Sequence, residues 1–117
     1  FIMRDLYFEH GSSVLQPGEQ EELTVLLQTL LRNPSATIVL HGHTDDVGSH
    51  ADNDRLSLER ARAVKEWLID HSIEPSRVDC QGHGERDPLN ANASAEDRAA
   101  NRRVEVHFQV NEIALTR

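Results

Sequence analysis

The chain has 117 residues, 38% hydrophobic and 27% charged, which is the composition of one globular domain able to bury roughly two thirds of its unfolded surface. Twenty acidic against twelve basic side chains give a formal charge of -8, so the basic face that nucleic acid requires is lacking. No apolar run approaches the roughly 20 residues of a membrane-spanning helix.

Leu6 and Phe8, with Tyr7 between them, make a short apolar run that Gly11, Ser12 and Ser13 end, which predicts a first strand near residues 5–9. Pro17 stands where a helix can begin, and Glu19, Glu21 and Glu22 load its first turn with the charge that free N–H groups favour. Leu23, Leu26, Leu27, Leu30 and Leu31 follow at the spacing of one helical face, and Asn33-Pro34 stops the helix. Residues 36–42 predict a second strand, with Ile38 and Leu40 on one face and Val39 and His41 on the other. A polar loop over residues 43–53 leads to a second helix over about 56–71, whose stripe is Ala61, Val64 and Leu68, widened by Trp67.

Residues 77–81 predict a third strand, Gly82-His83-Gly84 a turn, and Ser94 to Asp97 the cap of a short helical turn. In the last strand Val104, Val106, Phe108 and Val110 alternate with Arg103, Glu105, His107 and Gln109. The order β-α-β-α-β-β, with only two long helices, predicts an α/β two-layer sandwich in which a mixed four-stranded sheet carries its helices on one face.

Eleven of the twelve bases are arginine and only Lys65 is lysine, a bias toward forked recognition of carboxylates. The single cysteine, Cys80, allows no internal disulfide. The opening Phe1-Ile2-Met3 has no charged leader region, so any targeting segment is expected outside this fragment, itself read as one domain over residues 1–117 from the C-terminal part of a longer protein.

The string His41-Gly-His43-Thr-Asp45-Asp46 is similar to the H-x-H-x-D-H string of the metallo-β-lactamase superfamily, since two His at i, i+2 leave a strand on one side. Asp46 stands where that string has its last His, the chain is about half the length such hydrolases need, and His50, His71, His83 and His107 are scattered singly. A metal-dependent hydrolase is therefore the alternative, and a solvated His pair on an open sheet face the favoured reading. No G-x-S-x-G elbow or phosphate-cradling loop appears, and no cofactor is implied.

Arg60 lies one helical turn from Leu56 and one from Val64, which puts a guanidinium on the extension of the apolar stripe, while Arg55, Arg62 and Lys65 lie off it. A cation aimed at the core is costly unless something meets it. Asp45, at the same end of the sheet, can do so. Two readings stay open: an ordinary structural salt bridge, or a split clamp in which Asp45 holds an ammonium and Arg60 a carboxylate, as a zwitterion requires. Arg102 and Arg103 open the last strand on opposite faces, Arg102 toward the helices and Arg103 away from them.

Gly42-His-Thr-Asp45, Gly48, Asn53, Leu56-Ser57, Arg60-Ala61 and Val64, followed by Gly82-His-Gly84-Glu85, Pro88, Asn92 and Asn101-Arg102-Arg103-Val104-Glu105, resemble the signature of the OmpA-like C-terminal domain shared by OmpA proteins, the Pal lipoprotein and MotB. The resemblance covers about residues 6–110. It implies no enzyme. It implies non-covalent binding of peptidoglycan through the diaminopimelate of its stem peptide, with the domain anchoring an outer-membrane or periplasmic assembly to the wall of a Gram-negative cell. By the same resemblance Asp45 meets the amino group and Arg60, fifteen positions later, the carboxylate. Asn53 lines the pocket, Val47 and Leu56 contribute backbone contacts, and Arg102 closes one side. The chain departs from the pattern at His10-Gly11 and Asp52, and it lacks the paired cysteines of some relatives. A protein-interaction domain that has lost the ligand is a further alternative. Asp45→Ala and Arg60→Ala are each expected to abolish wall binding and leave the fold intact.

Overall fold

The computed structural model describes residues 3–109. In chain order these form β1 (Leu6–Tyr7), a 3-10 turn (Pro17–Glu19), α1 (Gln20–Arg32), β2 (Thr37–Gly42), α2 (His50–Asp70), a second 3-10 turn (Pro75–Arg77), β3 (Val78–Gly82), α3 (Ala95–Asn101) and β4 (Arg103–Gln109). Val110, expected in the last strand, lies outside the described residues.

The sheet order is β1-β4-β2-β3, with β2 parallel to β3 and β4 antiparallel to both of its neighbours. It is a mixed open sheet, as the element order predicts. The last strand to be made thus occupies an interior position, pairing Leu40 with Val106 and Leu6 with Val104. Alternation along each strand sends Leu6, Phe8, Ile38, Leu40, Val78 and Val104 to one face, where they close on Leu23, Leu26 and Leu30 of α1 and Ala61, Val64 and Leu68 of α2. Leu31, expected on the buried face of α1, is exposed, because that face is narrower than five leucines.

α2 begins six residues before its predicted start. Ser49 caps it, its hydroxyl accepting from the Asp52 backbone N–H at 3.1 Å, so residues read as loop become the helix's first turns. Asn53 and Leu56 are therefore helical. The helix lies close against the sheet because Gly42 and Gly82, directly paired in the β2/β3 register, present no side chain to it. A β-carbon on Gly42 would collide with the Ser57 carbonyl, and one on Gly82 would stand 2.8 Å from the Leu58 nitrogen.

Candidate functional site

The β2 strand delivers its last residues to the end of the sheet where α2 begins. There His43, Thr44 and Asp45 are buried, and the chain turns at Gly48, whose φ of 99° suits glycine, before entering the helix. An open cleft of about 300 Å³ lies at this corner, with Asp45, Val47, Gly48, Asn53 and Leu56 on its walls and His10 on its rim. The cleft thus gathers Asp45, Val47, Asn53 and Leu56 from both sides of the α2 N-terminus.

Asp45 is 3% exposed. Its Oδ1 accepts from the Val47 N–H at 3.1 Å, and its Oδ2 faces Arg102 Nη1 at 3.3 Å and His10 Nδ1 at 3.5 Å. Arg102 caps the end of α3 rather than sitting in β4, and it donates through Nε to the Phe8 carbonyl at 3.0 Å. Its other side borders a second hollow, of about 410 Å³, between Tyr7, Gln16, Glu19 and Ala99.

Arg60 is completely enclosed. Nε donates to the Ser12 carbonyl at 2.8 Å, Nη1 to that of His43 at 2.9 Å and Nη2 to that of Glu9 at 3.0 Å, while its carbon Cζ lies 5.4 Å from the centre of the Phe8 ring. Burial pulls its pKa down to about 10, against the pull of the nearby Asp45 carboxylate, and Arg102 adds to the lowering. The guanidinium remains a cation at neutral pH. It lies beneath the cleft rather than on its wall, joined to Asp45 through the field and to the β1–α1 connection through Glu9 and Ser12.

The string His41 to Asp46 does not assemble into a metal site. His41 and His43 point to the helix-free face, Asp45 to the cleft, and Asp46 to solvent. Among the described residues no group of three or more His, Cys, Asp or Glu side chains is arranged to hold a metal ion. Nor is the pair equally solvated, since His41 is half-buried and His43 fully so. His43 is 4% exposed, and neither ring nitrogen finds a hydrogen-bond partner. Its ring stacks on His83 with centres 5.0 Å apart, and His83 Nε2 meets His41 Nδ1 at 2.7 Å. That contact needs a proton on one nitrogen and a lone pair on the other.

Arg103, expected on the face away from the helices, is on that face and yet 2% exposed. Glu105 accepts from its Nε at 2.8 Å, Asp5 stands 3.8 Å away, and the Asp87 carbonyl accepts from Nη2 at 3.3 Å. Burial would raise the pKa of Glu105, but hydrogen bonds from Arg103 and His107 more than offset this and hold it below the usual value. Glu85 was given no role of its own by the sequence reading; its Oε1 accepts from Asn53 Nδ2 at 3.0 Å and faces His50 Nδ1 at the same distance.

The mixed open sheet backed by two helices thus carries, at one corner, a polar cleft that sets an acid over a buried base. Residues 7–102 match the OmpA family, and the chain belongs to that family. It is 37% identical to outer membrane protein A of Bordetella avium over 104 residues, 89% of this chain and 54% of that protein. It is 33% identical to the peptidoglycan-binding protein ArfA of Mycobacterium bovis over 99 residues, 85% of this chain and 30% of that protein. The chain therefore spans about half or less of these curated relatives, none of which is named as an enzyme. Among solved structures, the peptidoglycan-associated lipoprotein from Burkholderia pseudomallei superposes with a TM-score of 0.87 at 27% identity, covering 91% of this chain and 90% of that one. A putative MotB-like protein from Desulfovibrio vulgaris gives 0.79 at 36% identity, covering 91% and 71%.

Proposed function

We propose that this domain binds peptidoglycan non-covalently through the diaminopimelate of the stem peptide, and so ties an outer-membrane or periplasmic assembly of a Gram-negative cell to its wall. The carrying observation is the pairing of Asp45, on the cleft wall, with the buried Arg60 cation behind it. Opposite charges held away from water act strongly on a dipolar ligand that enters between them. The names of ArfA and of the Burkholderia lipoprotein support the same class of ligand.

In this reading the ligand's ammonium lies on Asp45, where it replaces the weaker His10 contact. Its carboxylate reaches Arg60 as the Glu9 and Ser12 carbonyls give way, since both belong to the β1–α1 connection and not to the sheet. Val47 and Leu56 supply backbone contacts, Asn53 lines the pocket, and Arg102 closes the side next to Asp45.

The test is co-sedimentation with purified sacculi. The wild-type domain is expected to pellet with diaminopimelate-type wall and weakly with lysine-type wall, whose side-chain end lacks the second carboxylate and would leave Arg60 unmet. Asp45→Asn keeps the shape and removes the charge, and is expected to weaken binding by about tenfold or more, as loss of a hydrogen bond to a charged group does. Equal pelleting with both walls, or an Asp45→Asn protein that pellets like the wild type, would reject the proposal.

A further inference from the structure

We infer that Glu85 fixes the side-chain amide of Asn53 with its carbonyl oxygen turned to the cleft, making Asn53 Oδ1 the second acceptor, beside Asp45, for the ligand's ammonium group. The identity of that group rests on the wall-binding reading above; the orientation of the amide does not.

An asparagine amide has two N–H donors at one end and an acceptor at the other, and the bonds around it decide which end faces where. Asn53 is 4% exposed. Its Nδ2 donates to Glu85 Oε1 at 3.0 Å and to the Asp45 carbonyl at 3.4 Å, so both N–H groups are engaged. Oδ1 accepts no hydrogen bond among the described residues, and it lies on the side of Gly48, 3.6 Å from where a β-carbon on that glycine would stand. Gly48 is itself a wall of the cleft. The opposite orientation would set Oδ1 against a carboxylate and a carbonyl, two acceptors facing a third.

Glu85 can impose this because the residue before it, Gly84, is pinned at both backbone groups. Gly84 donates its N–H to Ser57 Oγ at 2.8 Å, and its carbonyl accepts from the Thr44 N–H at 2.9 Å. Gly84 holds a φ of 56°, and a β-carbon there would collide with Asp54 Oδ1, so the turn that aims Glu85 needs glycine. On the other side of the cleft Asp45 Oδ1 is engaged by the Val47 N–H and Oδ2 by Arg102. An ammonium brings three N–H donors, more than Asp45 in that state accepts alone, and Asn53 Oδ1 supplies the further acceptor. Glu85 is thus a positioning residue that makes the site prefer a free ammonium over an acylated nitrogen.

The experiment compares Glu85→Leu and Glu85→Gln with the wild type, using free diaminopimelic acid and its N,N′-diacetyl derivative, which has no free ammonium, as probes and the Asn53 side-chain amide resonances as a structural readout. The Leu variant is expected to bind diaminopimelic acid about tenfold more weakly, to lose most of its preference over the acetylated compound, and to show faster-exchanging Asn53 side-chain protons. The Gln variant, whose own carbonyl can take the Asn53 N–H, is expected to restore all three. Unchanged affinity and preference in the Leu variant, or failure of Gln to rescue a folded protein, overturns the inference. Should the Leu variant not fold, fast exchange of the Asn53 side-chain protons in the wild type overturns it instead. A wild type that binds neither probe rejects the wall reading and the ammonium role together, which differs from a wild type that binds both alike, where the positioning role alone fails.

Discussion

The Arg60 guanidinium is buried, and its hydrogen bonds go to three backbone carbonyls and not to another side chain. The helical projection placed its guanidinium on the core side of α2, and it is there, without exposure. The sequence leads one to expect that Arg60→Ala leaves the fold intact, but the side chain holds the carbonyls of Glu9, Ser12 and His43, and of these the Glu9 carbonyl also accepts from the Ser12 N–H at 3.2 Å. Arg60→Ala is expected to lose about 3 kcal/mol or more in denaturant unfolding, the scale of stranding buried polar groups, so its binding defect must be read beside its melt. A variant as stable as the wild type would show that water replaces the guanidinium. Asp45→Asn avoids the difficulty, because the amide oxygen can still accept from Val47.

At the level of elements, the two strand-end glycines decide how close α2 comes to the sheet, and hence where Asn53, Leu56 and Arg60 stand relative to Asp45. Gly42 ends β2 and its α-carbon faces the Ser57 backbone, so Gly42→Ala forces a methyl group into a carbonyl that cannot swing aside. A destabilisation of roughly 3 kcal/mol is expected from such overpacking, visible as a lowered denaturant midpoint with an unchanged slope. A loss below 1 kcal/mol would mean that the helix rides outward at little cost. The sequence showed both glycines but not what they face, because the partner backbone is some fifteen residues away from one and twenty-five from the other. The α2 start was legible in Ser49 and Asp52, yet the run of polar residues from His43 to Asn53 outweighed it.

For the whole molecule, the two faces of the sheet differ in how they respond to acid. The helix-covered face is apolar; the other holds His41, His43, His83, His107, Arg103, Glu105 and Asp5 close together. Burial, with repulsion from Arg103, lowers the pKa of His43 from 6.5 to about 4, so the folded chain keeps this ring neutral while the unfolded chain protonates it. The resulting stability is complete above the unfolded value and is lost as pH falls from 6.5 toward about 4, by up to about 3 kcal/mol. Glu105, held below its usual pKa, adds to the loss only at lower pH, as its own protonation begins. Urea unfolding at steps between pH 7 and pH 4.5 is expected to show the decline, and His43→Gln to flatten it in the upper part of that window. A wild-type stability constant across it would remove His43 as the cause.

The amino-acid sequence by itself determined the order of the elements, the apolar face of each, the family signature and the candidate pair Asp45 and Arg60. Those properties follow from period, capping and spacing along a local stretch of chain. Only the tertiary structure decided that β4 lies between β1 and β2, that His43 is buried under His83 instead of open to solvent, that Arg60 lies behind the cleft wall, and that Glu85 reaches Asn53 from thirty-two residues away. Each of these depends on which distant backbone groups and side chains come into contact, and a hydrogen bond or a steric limit between them leaves no periodic trace in the chain.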